Sequence, residues 1–164
     1  MRSFSILLPS LVFFLGAATV QAQAAPTLAP TVQFLYSANI TVGLPVDVGA
    51  IPAGNVTVIP VIGGLSLGPR SRVRKMLALG ADWSMQTTGF YYSDMRALIR
   101  TNDNSHINVQ MSGLQQGSNN TIYVRTTFQT GSKEYWWLNY AFAFGTMRPS
   151  GTGFVVDMWQ MAYT

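Results

Sequence analysis

Any chemistry that this chain performs must come from oxygen acids, hydroxyls, arginines or aromatic rings. The 164 residues include no cysteine and a single histidine, His106. The lack of cysteine excludes a disulfide framework, a thiolate metal site and a cysteine nucleophile, and one histidine excludes every multi-histidine zinc or copper arrangement. We therefore expect a protein that uses neither a metal nor a cofactor.

Several polar residues stand beside aromatic or other apolar bulk. A carboxylate buried in such surroundings has its charged form destabilised, which raises its pKa and suits it to general acid work near neutral pH. The structural alternative is that Asp94 and Arg96 form an ion pair on one strand face and that Asp82 caps a turn after Gly80. The polar and apolar combinations are Asp82-Trp83, Asp94-Met95-Arg96, Tyr123-Val124-Arg125, Tyr135-Trp136-Trp137-Leu138-Asn139 and Asp157-Met158-Trp159.

Only three of the six acidic residues are candidates for an acid of raised pKa. Three others are expected to be solvated, because they lie in stretches typical of turns: Asp47, Asp103 and Glu134. His106 is expected to face solvent on a strand shared with Asn108 and Gln110. The candidates that remain are Asp82, Asp94 and Asp157.

The elements that must position these residues are β-strands. Apolar and polar residues alternate with period two through most of the chain, and breaks rich in Gly, Pro, Asn and Asp separate the runs. At most a short helical turn is expected, within Tyr135 to Tyr140. Eight or more short strands without crossover helices predict an all-β, antiparallel barrel, favoured over a sandwich because closure removes edge strands. A barrel of this size can hold one ligand in a central cavity.

The N-terminal segment predicts entry into the secretory pathway. Residues 1–24 carry Arg2, an apolar run and a small-residue cleavage pattern, which is typical of a signal peptide; a membrane anchor is the alternative, but the run is short. No later window qualifies as a membrane span. We expect a single domain over residues 25–164, secreted or held in the secretory pathway, with glycosylation acceptors at Asn39, Asn55 and Asn119.

The basic balance of the chain does not predict a nucleic-acid partner. The formal net charge is +4 and only 10% of residues are charged. The one basic cluster, Arg70, Arg72, Arg74 and Lys75, contains no interleaved aromatic residues and is expected to form a solvated strand face.

A series of motifs, taken together and in order, resembles the domain of unknown function 3237 family. The resemblance covers about residues 28–162, and its order and spacing are more specific than any single motif. Asn104 is a departure, because the family is expected to have Gly after the Asp. The motifs are Gly63-Gly64, Gly68-Pro69-Arg70, Gly80-Ala81-Asp82-Trp83, Asp94-Met95-Arg96, Thr101-Asn102-Asp103, Tyr123-Val124-Arg125-Thr126, Phe128-Gln129-Thr130-Gly131 and Tyr135-Trp136-Trp137-Leu138-Asn139.

The resemblance implies a lipocalin-like β-barrel that often self-associates. Fungal relatives sit among secondary-metabolite enzymes, and some look like cofactor-free cyclases that add a hydroxyl oxygen across an alkene. The implied partner is a hydrophobic aromatic or polyketide small molecule. On this interpretation Asp82 or Asp94 is the acid, and Tyr123 or the other Asp accepts the hydroxyl proton.

The remaining site residues are assigned to substrate binding. Arg96 and Arg125 would orient phenolate or carbonyl oxygens, and the aromatic rings would line the cavity and stabilise a developing carbocation. We expect Trp83, Tyr123, Arg125 and Trp137 to face one internal pocket. The full set is Trp83, Arg96, Arg125, Tyr135, Trp137 and Asn139.

Two other classes of function remain open. A non-catalytic carrier of a hydrophobic small molecule needs the same apolar cavity but no acid of perturbed pKa. A hydrolase needs paired carboxylates about 5 to 9.5 Å apart, for which Asp82 and Asp94 are the available pair.

Overall fold

The protein is an almost purely antiparallel β structure. A computed structural model describes residues 30–69, 71–115 and 119–162, and the side chains of residues 71–73 are not described. The predicted signal peptide therefore lies outside the described residues. Within the described ranges, no helix is long and apolar enough to traverse a lipid bilayer.

Nine strands and one short helix follow one another along the chain. The helix is a single 3-10 turn at Trp136–Tyr140, within the segment where the sequence predicts a helical turn. The strands are β1 Thr31–Val42, β2 Val46–Ile51, β3 Gly54–Gly68, β4 Ser71–Gln86, β5 Tyr91–Arg100, β6 His106–Gln115, β7 Ile122–Gln129, β8 Ala143–Ser150 and β9 Gly153–Ala162.

The strands close into a barrel, which confirms the predicted fold class. From β3 to β9 each strand pairs with the next one antiparallel, β9 pairs with β1, and β1 pairs with β3 to complete an eight-stranded ring. The hairpin strand β2 pairs only with β3 and lies outside the ring. Closure gives every ring strand two neighbours, so the ring has no unpaired strand edge. A chain with few charged residues to protect such edges benefits from this arrangement.

Alternation along each strand separates a buried interior from the outer surface. In β7, Ile122, Val124, Thr126 and Phe128 are buried, whereas the residues between them are exposed. The same pattern runs through β5 and β6. The core is rich in methionine, and its least exposed members include Met95, Met111, Met147 and Met158. The unbranched thioether side chain suits such an irregular interior.

The turn after Gly80 that the structural interpretation of Asp82 requires is absent. Strand β4 continues through Gly80, and its pairing with β5 shifts register between Met76 and Gly80, which is the mark of a bulge. Gly80 has φ +142, and a Cβ there would lie 2.1 Å from the Arg96 carbonyl oxygen. Asp82 therefore lies within a strand and does not cap a turn.

The true turn between β4 and β5 occurs at residues 87–90. The Thr87 hydroxyl oxygen accepts hydrogen bonds from the backbone N–H groups of Gly89 and Phe90, both at 3.2 Å. The turn between β5 and β6 is where the sequence predicts it. There Asn104 has φ 64, a left-handed conformation that Asn tolerates and that explains why Gly is expected at this position.

Candidate active site inside the barrel

Asp82 is a fully buried carboxylate on the inner face of β4. Its exposed fraction is 0%. The Ser93 hydroxyl on β5 donates a 2.9 Å hydrogen bond to Asp82 Oδ1. Asp82 Oδ2 has no hydrogen-bond partner within the described residues. Ser93 thus holds one oxygen in position, and the surroundings of the two oxygens differ.

The surroundings of Asp82 favour its protonated form. Burial raises the pKa of this carboxyl from 3.8 to about 6. Hydrogen bonds from the Ser93 hydroxyl, the Asp94 backbone and the Tyr91 phenol oppose the shift, and the nearby charge of Asp94 adds to it. Removing a carboxylate from water penalises its charged form, whereas a donated hydrogen bond stabilises that form. An acid of this pKa can donate a proton near neutral pH.

Two further polar side chains accompany Asp82. The Ser84 hydroxyl is buried and donates a 3.1 Å hydrogen bond to the Thr57 carbonyl oxygen. Burial raises the pKa of the Tyr91 phenol, which keeps it protonated, and Ser84 and Asp82 are among the groups that act on it. We call Asp82, Ser84, Tyr91 and Ser93 the acid cluster.

Asp94 and Arg96 lie on the outer surface of the barrel. Arg96 Nη2 is 3.7 Å from Asp94 Oδ2, so the ion-pair interpretation of these two residues holds. Gln110 Nε2 also donates a 3.5 Å hydrogen bond to Asp94 Oδ1. The Arg96 guanidinium carbon is 6.0 Å from the centroid of the exposed Trp83 ring. Because Asp82 and Asp94 face opposite sides of the sheet, they do not flank one substrate as a hydrolase pair would.

Tyr123 and Arg125 also project outward, because they alternate with the buried residues of β7. Both line an outer pocket of about 300 Å³ with Tyr92, Ser112 and Leu114. Arg125 Nε donates a 3.1 Å hydrogen bond to the Ser112 hydroxyl. The prediction that Trp83, Tyr123, Arg125 and Trp137 face one internal pocket is therefore wrong for the first three, and Tyr123 lies on the wrong side of the sheet to accept a proton beside Asp82.

The segment after β7 brings two predicted aromatic residues against the core. Tyr135 and Trp137 are half-buried and pack on the core cluster. The Arg74 guanidinium carbon lies 5.3 Å from the centroid of the Tyr135 ring. These two aromatic residues thus pack against the interior core, unlike Trp83, whose ring is exposed.

Asn139 has a structural task in the same segment. Its side-chain oxygen accepts a 2.9 Å hydrogen bond from Thr130 N–H, and its Nδ2 donates to the carbonyl oxygens of Thr130 at 3.0 Å and Trp136 at 3.1 Å. It borders an outer groove of about 530 Å³ that also includes His106 and Tyr140. Because its amide is hydrogen-bonded to the backbone of Thr130 and Trp136, Asn139 orders the loop that carries Tyr135 and Trp137.

The expectation that Arg74 lies on a solvated basic strand face is wrong. This side chain is 3% exposed and lies on the inner face of β4, whereas its neighbour Lys75 is exposed. The alternation of β4 accounts for the difference. No sequence motif indicates Ser84, Tyr91 or Ser93, although the parity of Ser93 with Met95, Ala97 and Ile99 indicates that it points inward.

The other acidic residues are placed as structural or solvated groups. Asp157 on β9 is held by Arg148 Nη2 at 2.5 Å and by the Ser37 hydroxyl. Asp103 accepts hydrogen bonds from the Thr101 and Ser105 hydroxyls, which lower the pKa of its carboxyl. Asp47 and Glu134 are exposed. Among the described residues, no three His, Asp or Glu side chains converge as a metal-binding group would require.

The three glycosylation acceptors are exposed. Asn39 lies in β1 and Asn55 in β3, whereas Asn119 lies in the segment that precedes β7. Exposure is necessary for modification, and whether any acceptor carries a glycan stays a prediction.

Comparisons with known proteins cover nearly the whole barrel. A family model described as "protein of unknown function (DUF3237)" matches residues 30–161. The hydroalkoxylation enzyme phnH of Penicillium herquei is 30% identical over 161 residues, which span 90% of this chain and 94% of that protein.

Solved structures resemble the chain over similar lengths. A crystal structure of an enzyme from Penicillium herquei is 28% identical with a TM-score of 0.70, covering 86% of this chain and all 100% of that one. A β-barrel-like protein from Acinetobacter baumannii is 25% identical with a TM-score of 0.72, covering 85% of this chain and 100% of that one.

Proposed function

The chain belongs to the DUF3237 family, and we propose that it is a cofactor-free cyclase that closes an oxygen heterocycle by adding a hydroxyl to an alkene. The observation that carries the proposal is the fully buried carboxyl of Asp82, whose Oδ2 has no hydrogen-bond partner among the described residues. The similarity to a hydroalkoxylation enzyme supports the reaction class. The proposed substrate is a polyketide or a prenylated aromatic compound bound inside the barrel.

Asp82 supplies the proton that starts the reaction. The protonated carboxyl transfers its proton to the less substituted alkene carbon, and the alkene π electrons form the new C–H bond. The positive charge develops on the more substituted carbon, where the substrate hydroxyl oxygen attacks to form the C–O bond. The hydroxyl proton returns to the Asp82 carboxylate, so the product is an isomer of the substrate and the acid is regenerated.

The rest of the acid cluster holds this proton donor ready. Ser93 binds Oδ1 and so directs the protonated Oδ2 toward the ligand. The protonated Tyr91 phenol adds a polar group beside an aromatic ring, and a ring face stabilises a developing cation. Burial excludes bulk water, which would otherwise capture the carbocation, and holds the reacting groups in a near-attack geometry.

A minimal substrate tests the proposal directly. We expect the purified protein to convert 2-prenylphenol to 2,2-dimethylchroman, and in D₂O the product should carry one deuterium on the ring carbon next to the quaternary carbon. Mass spectrometry and NMR measure both outcomes. Binding of such phenols without turnover, for this and for longer prenylated phenols, would favour the alternative function of a carrier.

We also propose that the protein is secreted or retained in the secretory pathway and that it self-associates. Large apolar side chains exposed on the outer faces of β3 and β4, Ile62, Leu65, Leu67 and Leu79, support self-association, because single soluble chains rarely expose extended apolar patches. Light scattering on the secreted protein measures its molar mass and so tests this part of the proposal.

A further inference from the structure

A second polar group lies inside the barrel, away from the acid cluster. It is centred on Arg74, which stands eight residues before Asp82 on β4, and it includes Ser66, Tyr36 and Tyr135. We call these four residues the arginine cluster. The proposed reaction does not use any of them.

Arg74 is a buried cation without a counter-ion in contact in the described parts of the chain. It is 3% exposed, and its Nε has no hydrogen-bond partner within the described residues. Ion pairs within 4 Å in the described parts of the chain join only Arg96 to Asp94 and Arg148 to Asp157. A buried guanidinium is normally paired and hydrogen-bonded, because isolated burial of a charge is costly. The Arg74 guanidinium therefore lacks a negatively charged partner among the described residues.

The neighbours of Arg74 are hydrogen-bond donors. Ser66 on β3 is its direct cross-strand partner and is buried. Its hydroxyl oxygen has no hydrogen-bond partner among the residues that the structure describes. Tyr36 is fully buried and burial raises the pKa of its phenol, so this hydroxyl stays protonated and can donate. A guanidinium and two hydroxyls together offer several donors to one ligand group.

The Tyr135 ring adds a flat apolar surface to the same place. Arg74 lies over this ring, and Tyr36 meets Phe128 edge to face with centroids 6.3 Å apart. Aromatic rings thus surround the guanidinium. The charge of Asp103 acts on Arg74, but the Asp103 carboxylate is already engaged by the Thr101 and Ser105 hydroxyls.

We propose that the arginine cluster binds the carboxylate of an aromatic ligand inside the barrel. A carboxylate offers two oxygens and about four lone-pair positions, which matches a planar guanidinium fork together with the Ser66 and Tyr36 hydroxyls. This inference rests on the proposed function only in taking the barrel interior as the ligand site. It narrows the substrate class to aromatic molecules that carry a carboxylate group distant from the reacting alkene.

A pair of probes of the same shape and different charge tests the inference. Isothermal titration calorimetry compares 2-naphthoate with the neutral 2-naphthamide on the whole secreted protein. We expect the wild type to bind the naphthoate at least about tenfold more tightly, as charge-assisted hydrogen bonds require. Equal affinities, or no binding of either probe, would overturn the proposal.

Substitutions locate the effect at Arg74. We expect Arg74→Met to lose the preference for naphthoate while binding naphthamide as well as the wild type or better. Arg74→Lys should keep part of the preference, since it retains the charge but not the planar fork. Lys75→Met is the matched control, because it removes the same charge from the adjacent, outward-facing residue, and it should bind both probes as the wild type does.

The result separates this inference from the proposed reaction. Arg74→Met removes a buried charge without an ion-pair partner in the described chain, so its melting temperature should not fall. If that variant does not fold, the comparison of the two probes in the wild type and in Arg74→Lys still tests the inference. Asp82→Asn should bind naphthoate normally whatever it does to turnover. If naphthoate binding depends on Arg74 but the protein has no cyclase activity, this inference stands and the proposed reaction is rejected. If Arg74→Met binds naphthoate normally, only this inference is rejected.

Discussion

The Ser93 hydroxyl holds Oδ1 of Asp82 at 2.9 Å while Oδ2 of the same carboxyl has no partner in the described chain. The two oxygens of one buried acid are thus in unequal surroundings. This asymmetry suits a proton donor, because one oxygen fixes the orientation of the carboxyl while the other can carry the proton.

Replacing Asp82 by Asn should abolish most turnover without loss of ligand affinity. The amide keeps the size and polarity of the side chain but has no acidic proton, and loss of a general acid typically lowers rates by about 10²- to 10⁴-fold. Steady-state kinetics on the prenylphenol substrate and calorimetric binding measure the two quantities. Asp157→Asn, which removes a carboxylate paired with Arg148, is the control and should turn over normally. Full activity of Asp82→Asn with an intact fold would contradict the assignment.

The pH dependence of the reaction should report the acid. With a pKa of about 6, Asp82 is protonated below that pH, so kcat/KM should be level there and fall tenfold per pH unit above it. Because the charge of Asp94 raises this pKa, Asp94→Asn should move the falling limb to lower pH. A profile without a falling limb between pH 5 and about 8 would argue against a carboxylic acid in this role.

The same group should make stability depend on pH. The carboxyl of Asp82 titrates near 3.8 when unfolded and at about 6 when folded, so the folded state binds the proton more tightly between these values. Its contribution is complete below pH about 4 and is lost as the pH rises through 6, by about 3 kcal/mol in all. Urea unfolding at pH 4 and pH 7.5 should show that Asp82→Asn gains stability relative to the wild type at the higher pH.

Gly80→Ala should destabilise the barrel. The new Cβ would lie 2.1 Å from the Arg96 carbonyl oxygen at a backbone φ of +142, so β4 and β5 would have to separate. We expect a loss of about 2 kcal/mol or more in the free energy of unfolding, measured with urea. Gly89→Ala is the control, since a Cβ at Gly89 would meet nothing within 4 Å. Equal stability of the two variants would show that β4 can adjust at the bulge.

Expression in a eukaryotic secretory host should give a shortened and glycosylated protein. We expect the mature chain to begin at Ala25 and to lose mass on treatment with an N-glycosidase. Asn119 is exposed and lies outside the strands, so Asn119→Gln should remove more of the glycan than Asn39→Gln or Asn55→Gln. Intact mass spectrometry measures each variant, and an unmodified full-length chain in the cytosol would contradict both predictions.

Part of the candidate site was accessible from the sequence, and the part that was missed has a physical explanation. Asp82 was selected because a carboxylate beside a tryptophan indicates burial, and it is buried. Tyr123 and Arg125 were assigned inward on the strength of their motif, although they alternate with Ile122, Val124 and Phe128. The period of the strand is the stronger indicator, because a side chain cannot change faces without a change of register.

The all-β class, the antiparallel barrel and the short helical turn near Trp136 could be predicted from the sequence, because period-two alternation and turn residues act over a few neighbouring positions. That Ser93 contacts Asp82, that Ser66 lies opposite Arg74, and that the basic residue next to Lys75 is buried could be seen only in the folded barrel. Those relationships depend on the pairing register between strands and on the bulge that carries β4 through Gly80. Register is set by closure of the whole ring, so no local stretch of sequence contains it.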